Sequence, residues 1–157
     1  MRRATKSDAK AIAECFYEAV HVKGNKGFYS DEVMALWAKP VTPERIAKFE
    51  NMISKEDEEL YVAEADGHII GMTIIRLSDA KMGSLYVRPN SYGPIGALLI
   101  ERMVQRFSEA GLNHMITDAS LPAFEFYKRC GFVELGRDLY PGRDMEYVIM
   151  RKDFEEK

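Results

Sequence analysis

The apolar residues of this chain change their spacing at residue 60, and that change limits the folds open to it. Before it they recur every three or four positions, as one face of a helix requires. Ile12, Cys15, Phe16, Ala19 and Val20 form a first stripe, Val33, Met34 and Trp37 a second, and Ile46, Phe49 and Ile53 a third. Each has its own punctuation. Thr5, with Asp8 three places on, can cap the first helix, and Gly24 and Gly27 end it. Ser30 caps the second and Pro40 stops it, while Thr42-Pro43 supplies a cap and a first-turn proline for the third.

From Leu60 the apolar residues run together. Leu60 to Ala63 and Ile69 to Ile75 read as strands joined by Asp66-Gly67, whose residues tolerate the positive φ that a tight hairpin needs. Ser84 to Val87 reads as a further strand. A long helix is expected from about Ile95 to Glu109, closed by Gly111. Met115 to Thr117 is a short strand, and Leu121 to Cys130 a helix ended by Gly131. Phe132 to Leu135 and Met145 to Met150 finish the chain as strands around Tyr140-Pro141-Gly142. The order, helices first and then strands interleaved with helices, predicts one α/β (α+β) domain over 1–157, with a mixed sheet covered by helices.

Bulk properties narrow the function. With 157 residues and 46% hydrophobic content the chain can bury a substantial core. The net charge is −3 and no Lys/Arg block stands out, so no nucleic-acid partner is expected. No apolar run approaches the ~20 residues of a membrane span, and Thr5-Lys6-Ser7-Asp8 replaces the apolar core of a signal peptide. Cys15 and Cys130 offer neither a disulfide framework nor metal-ligand spacing, and both read as small buried hydrophobes. A soluble, cytoplasmic protein without a metal is the expectation.

Two segments carry chemistry. Leu85 to Leu99 runs strand, small-residue turn (Asn90-Ser91-Tyr92-Gly93-Pro94), then helix. Such a turn points successive N–H groups and the positive end of a helix dipole at one spot, which suits a phosphate, but taken alone the signal is weak, since many such turns need glycine only to turn the corner. The second is Asp118 to Phe132, in which Ala123, Phe126, Tyr127, Gly131 and Phe132 fit Ala-x-x-Phe-Tyr-x-x-x-Gly-Phe. Together these segments resemble the GNAT N-acetyltransferase superfamily, as do Arg3-Ala4-Thr5-x-x-Asp8 and the hairpin before the turn. His21 through Pro40 looks like one bacterial and archaeal subgroup, and the likeness spans nearly the whole chain.

The resemblance implies a mostly antiparallel central sheet with helices on both faces, and acetyl-CoA as co-substrate. It implies a cofactor site from Leu85, Tyr86, Val87, Tyr92, Gly93, Ile95, Gly96 and Ala97 on one side and Ala123, Phe126, Tyr127 and Arg129 on the other. Tyr127 matches the position that protonates the departing thiolate, and the N–H of Val87 the expected oxyanion donor. His21, Tyr29 and Trp37 fall where the acceptor amine, of a small molecule or a peptide, is held; Tyr29 and Trp37 can equally cement short helices to the sheet. A homodimer is compatible with the family. Among possible bases, His21 titrates in a useful range, with Glu32, Glu64 and Asp118 behind it. Three departures stand against the pattern. Pro94 and Ser91 occupy the turn's Gly and Gln/Arg places, or the turn is one residue short and Tyr92 takes the Gln/Arg place. Pro122 stands where many members have Asn, and Lys81-Met82-Gly83-Ser84 lacks the strand Glu. They leave a non-catalytic acyl-CoA-binding or sensor domain as the alternative.

Overall fold

The computed structural model describes residues 1–22, 25, 27–91, 93–142 and 144–155; Gly24 and Tyr92 lie outside them. Seven strands form one sheet: β1 (Arg2–Arg3), β2 (Glu59–Ala65), β3 (His68–Arg76), β4 (Lys81–Val87), β5 (His114–Ser120), β6 (Val133–Leu139) and β7 (Glu146–Asp153). Their spatial order is β1-β2-β3-β4-β5-β7-β6. Every neighbouring pair is antiparallel except β4 and β5. The helices are α1 (Ala9–Val20), α2 (Asp31–Trp37), α3 (Pro43–Ile53), α4 (Ile95–Glu109) and α5 (Phe124–Arg129).

Local rules explain most boundaries. Asp66 and Gly67 have φ of 52° and 76°, as the β2–β3 turn requires. Ser30 Oγ accepts from Val33 N–H at 3.2 Å and Thr42 Oγ1 from Arg45 N–H at 3.3 Å, capping α2 and α3. One expectation needs correction, and one element, β1, was not among those expected. The predicted helix from Leu121 is a 3₁₀ turn over Leu121–Ala123 followed by the shorter α5. The two-residue β1, which carries no apolar pattern, is held by Arg2: its guanidinium donates to Asp8 at 2.8 and 2.9 Å and to Glu64 at 2.8 and 3.2 Å.

The sheet divides two cores. On one face α1, α2 and α3 pack Ile12, Phe16, Val20, Met34 and Phe49 against Leu60, Val62, Met72 and Ile74. On the other, Ile100, Met103 and Phe107 of α4 and Tyr127 of α5 pack against Ile75, Met82, Met115 and Val148. Helices therefore cover both faces, as expected. Cys15 is buried, whereas Cys130 is only half-buried, at the end of α5. Among the described residues no helix is long and apolar enough to cross a membrane. The edge strand β6 leaves Val133, Leu135 and Leu139 exposed.

Candidate active site

The site begins where β4 and β5 separate. They pair only through Lys81–Ile116 and Met82–Thr117. The next residue, Gly83, is an extra one in β4, bulged between the pairs Ile75–Met82 and Ile74–Ser84. A Cβ there would lie 2.9 Å from Ile74 Cγ2, so glycine permits the bulge. Beyond it, β4 stays with β3 and leaves its β5 edge open. Arg88 N–H donates to Ile70 O of β3 at 2.8 Å. Alternation along an extended strand therefore turns the Val87 N–H to the open edge.

The N-terminus of α4 closes one end of the opening. Ile95 is the first helical residue, as the apolar spacing predicts, and Pro94 is the N-cap. Leu98 N–H is bonded to Pro94 O at 3.0 Å. The amides of Ile95, Gly96 and Ala97 are thus left without an intrahelical acceptor. Gly93, with φ of 83°, makes the turn that aims them.

Three adjoining spaces follow. The first, about 410 Å³, is lined by Leu85, Val87, Gly93, Pro94, Ile95, Gly96, Ala97, Ala123 and Phe126. It contains eight of the twelve predicted cofactor residues. A Cβ on Gly96 would come within 2.8 Å of Phe126 Cζ, so this glycine lets the two walls close on each other. The second, about 40 Å³, lies deeper, among Trp37, Gly83, Leu85, Tyr86, Asp118, Ser120, Ala123, Tyr127 and Tyr140. The third, about 240 Å³, opens on the α1–α3 face. Leu85 and Ala123 are common to the first two spaces; Trp37, Tyr86 and Tyr140 are common to the last two. The three spaces therefore adjoin one another across the gap in the sheet.

Tyr127 stands in the middle space, 4% exposed, with its ring 5.4 Å from Phe126 and 5.2 Å from Phe132. Burial pushes its phenol far above the ordinary value, and Tyr86 adds to the shift. The Thr117 hydroxyl acts in the opposite sense, although its own buried oxygen completes no hydrogen bond of good geometry. Tyr140 is pushed up likewise, mainly by burial. Asp118 is the only carboxylate among the described residues lining this space, and its Oδ2 is 2.6 Å from Lys81 Nζ.

Other predicted residues stand elsewhere. The side chain of Tyr86 faces the α1–α3 side, opposite Leu85 and Val87 by strand alternation, and its hydroxyl accepts from Trp37 Nε1 at 3.1 Å. Tyr29 is buried; its hydroxyl donates to Glu146 O at 2.7 Å and accepts from Leu121 N–H at 2.8 Å, so it joins the loop before α2 to β7 and to the turn before α5. The Nε2 of His21 lies 2.9 Å from Ala38 O, and its ring packs on Tyr17; it lines none of the three spaces. Arg129 is exposed at the end of α5. Among the candidate bases, Glu64 is paired with Arg2, and Glu32 is exposed on α2.

The sequence reading did not single out Gly83, Ser120 or Tyr140, nor the α3 residues of the third space. One signal for those was present. Arg45, Lys48, Phe49 and Met52 fall at helical spacing, forming a second stripe beside the apolar one.

Comparison with known proteins adds the family. The acetyltransferase (GNAT) domain family matches residues 25–154. This protein belongs to the GNAT acetyltransferases. The family transfers acetyl groups from acetyl-CoA, which is the co-substrate of this acetyltransferase as well. Its fold is that of a GCN5-related N-acetyltransferase (aminotransferase, class II) from Rhodopseudomonas palustris, with a TM-score of 0.85 and 24% identity over 98% of this chain and 94% of that one. It is also similar to the PaiA N-acetyltransferase from Thermoplasma acidophilum, solved with coenzyme A (TM-score 0.75, 21% identity, 98% and 97% covered). A ribosomal-protein-alanine N-acetyltransferase from Brucella melitensis gives a TM-score of 0.70 at 20% identity, with 98% of each chain covered. At these identities the likeness is one of fold. No curated protein matches this acetyltransferase by sequence. The residues fit acetyl-CoA: the three α4 amides suit its pyrophosphate, and the apolar walls of Leu85, Ala123 and Phe126 suit its pantetheine arm.

Proposed function

We propose that this protein is an N-acetyltransferase that moves the acetyl group directly onto an amine of a small molecule or peptide, in the cytoplasm. The observation that carries the reading is the row of adjoining spaces across the sheet, with Tyr127 and Asp118 lining the smallest of them. Bound acetyl-CoA supplies a thioester carbonyl and a thiolate leaving group. Around it, the amides of Ile95, Gly96 and Ala97 hold the anionic end. The Val87 N–H donates to the oxygen that gains charge during transfer.

Direct attack is supported by the thiols. Burial pushes Cys15 up to about 11 and raises Cys130 as well, so neither is poised as a nucleophile. Both are free, in keeping with a reducing compartment. The raised phenol of Tyr127 refines its role. A general acid works best with a pKa near the working pH, and this one lies far above it. Tyr127 therefore holds its proton and donates a hydrogen bond toward the leaving sulfur, stabilising charge without full transfer. Asp118 accepts the proton that the amine loses. A homodimer belongs to this reading, supported by exposed Val133, Leu135 and Leu139 on the edge strand.

The test is a screen of diverse amines with acetyl-CoA, following thiol release, beside calorimetry with CoA. Binding of CoA and turnover of at least one amine are expected. Failure to bind at millimolar CoA, or binding without turnover of any amine, would remove the proposal.

A further inference from the structure

The third space has a chemical bias that acetyl transfer alone does not demand. Among the described residues that line it are two cations, Arg45 and Lys48, each with a further interaction within the fold, and no carboxylate. The others are aromatic or aliphatic. The arrangement also has direction. The Arg45 guanidinium lies over Phe16 and Phe49, 5.1 and 5.4 Å from their ring centres. Phe16 in turn packs edge-on against Tyr86, with centroids 4.6 Å apart, and Tyr86 is held by Trp37 beside the smallest space. The positive end and the reacting end are thus separated by about one aromatic ring. At about 240 Å³ the space lies below the roughly 300–1,000 Å³ of sites for drug-sized ligands.

We propose that the acceptor is a small amine carrying a carboxylate on an apolar or aromatic body, with the amine at Tyr86 and the carboxylate between Arg45 and Lys48. This deepens the acetyl-transfer reading and rests on it. A guanidinium and an ammonium at one end favour an anion there and disfavour a second cation, so polyamines are poor acceptors. The aromatic wall favours a flat or bulky body over a short polar one.

The chain has one tryptophan, Trp37, and it lines this space, so its fluorescence reports occupancy without turnover. The full-length protein is titrated with para-aminomethylbenzoate, its neutral carboxamide and spermidine, with and without CoA. The carboxylate is expected to bind roughly 10–100-fold more tightly than the carboxamide, the range of a charged hydrogen bond. High salt should narrow that ratio. Lys48→Glu, at an exposed position, should reduce it to near one or invert it. Equal affinities, tighter spermidine, or no change in Trp37 emission with any of the three would overturn the proposal. Tight binding of the carboxylate without thiol release from acetyl-CoA would instead overturn the transfer reading alone.

Discussion

The two mouths of this row of spaces are built by different means. On the α4–α5 face the polar contacts come from backbone: the amides of Ile95, Gly96 and Ala97, the Val87 N–H, and the bulge and turn at Gly83 and Gly93. On the α1–α3 face they come from side chains on separate elements: Phe16 of α1, Trp37 of α2, Arg45 and Lys48 of α3, Tyr86 of β4 and Tyr140 beyond β6. A backbone site tolerates wide change in side chains as long as the turn and the glycines keep their conformations. A side-chain site changes with a single substitution. This suits a constant co-substrate on one side and a selective acceptor on the other.

The largest effect is expected where the two halves meet. Tyr127→Phe keeps the ring between Phe126 and Phe132 and removes only the hydroxyl. Turnover should fall about 10²–10³-fold, with CoA affinity little changed, because the hydroxyl acts on charge that develops only during reaction. Burial raises this phenol, so loss of rate at alkaline pH should not follow its ionisation. A Tyr127→Phe enzyme that loses stability but keeps its rate would make the residue a packing element. Asp118→Asn comes next, with a fall in kcat/KM of about 10²-fold. If kcat/KM is unchanged in the variant, another group or water takes the amine's proton.

The contrast also explains what could be read without coordinates. Repeating local patterns fix the helices and hairpin, so α4 begins and ends where its apolar spacing and Gly111 put it. The mouth on the α4–α5 face was legible as one space because one contiguous strand-turn-helix and one motif line most of it. The acceptor mouth was legible only in part. Trp37 is there, but His21 and Tyr29 have their polar atoms engaged within the fold. Residues as far apart as Phe16 and Tyr140 meet only through tertiary packing. The side chain of Tyr86 belongs to the acceptor mouth although its strand neighbours Leu85 and Val87 face the other, because successive residues of a strand alternate between faces.

A smaller effect separates backbone from packing within the cofactor mouth. Gly96→Ala should weaken CoA about tenfold by forcing Phe126 aside, while helix propensity offsets any loss of stability. Adding Phe126→Leu should restore most of the affinity. Equal losses of folding and CoA affinity, with no rescue, would assign Gly96 to helix packing instead.

The smallest effect on chemistry is expected far from both mouths, at the anchor of the α1 side. Arg2 donates two hydrogen bonds to Asp8, and Thr5 N–H adds a third at 2.7 Å. With Arg2 foremost, these contacts hold the Asp8 carboxyl at about 2, below its usual range near 3.8. The sign follows from the direction. A depressed folded pKa means that the charged form is favoured by folding, so the contribution is complete above the unfolded value. It is lost as pH falls from about 4 toward 2. Because the Arg2 side chain is 39% exposed, solvent screening trims the contribution to about 1–2 kcal/mol. Asp8→Asn should therefore lower the melting temperature at neutral pH by roughly 2–8 °C, and the difference from the parent should vanish near pH 2. The rise in melting temperature on adding CoA should be the same in both proteins, since the backbone mouth lies across the sheet from this anchor. A variant that also loses its CoA stabilisation would show that the two halves are coupled through the sheet, and that the division drawn between them is one of construction and not of energy.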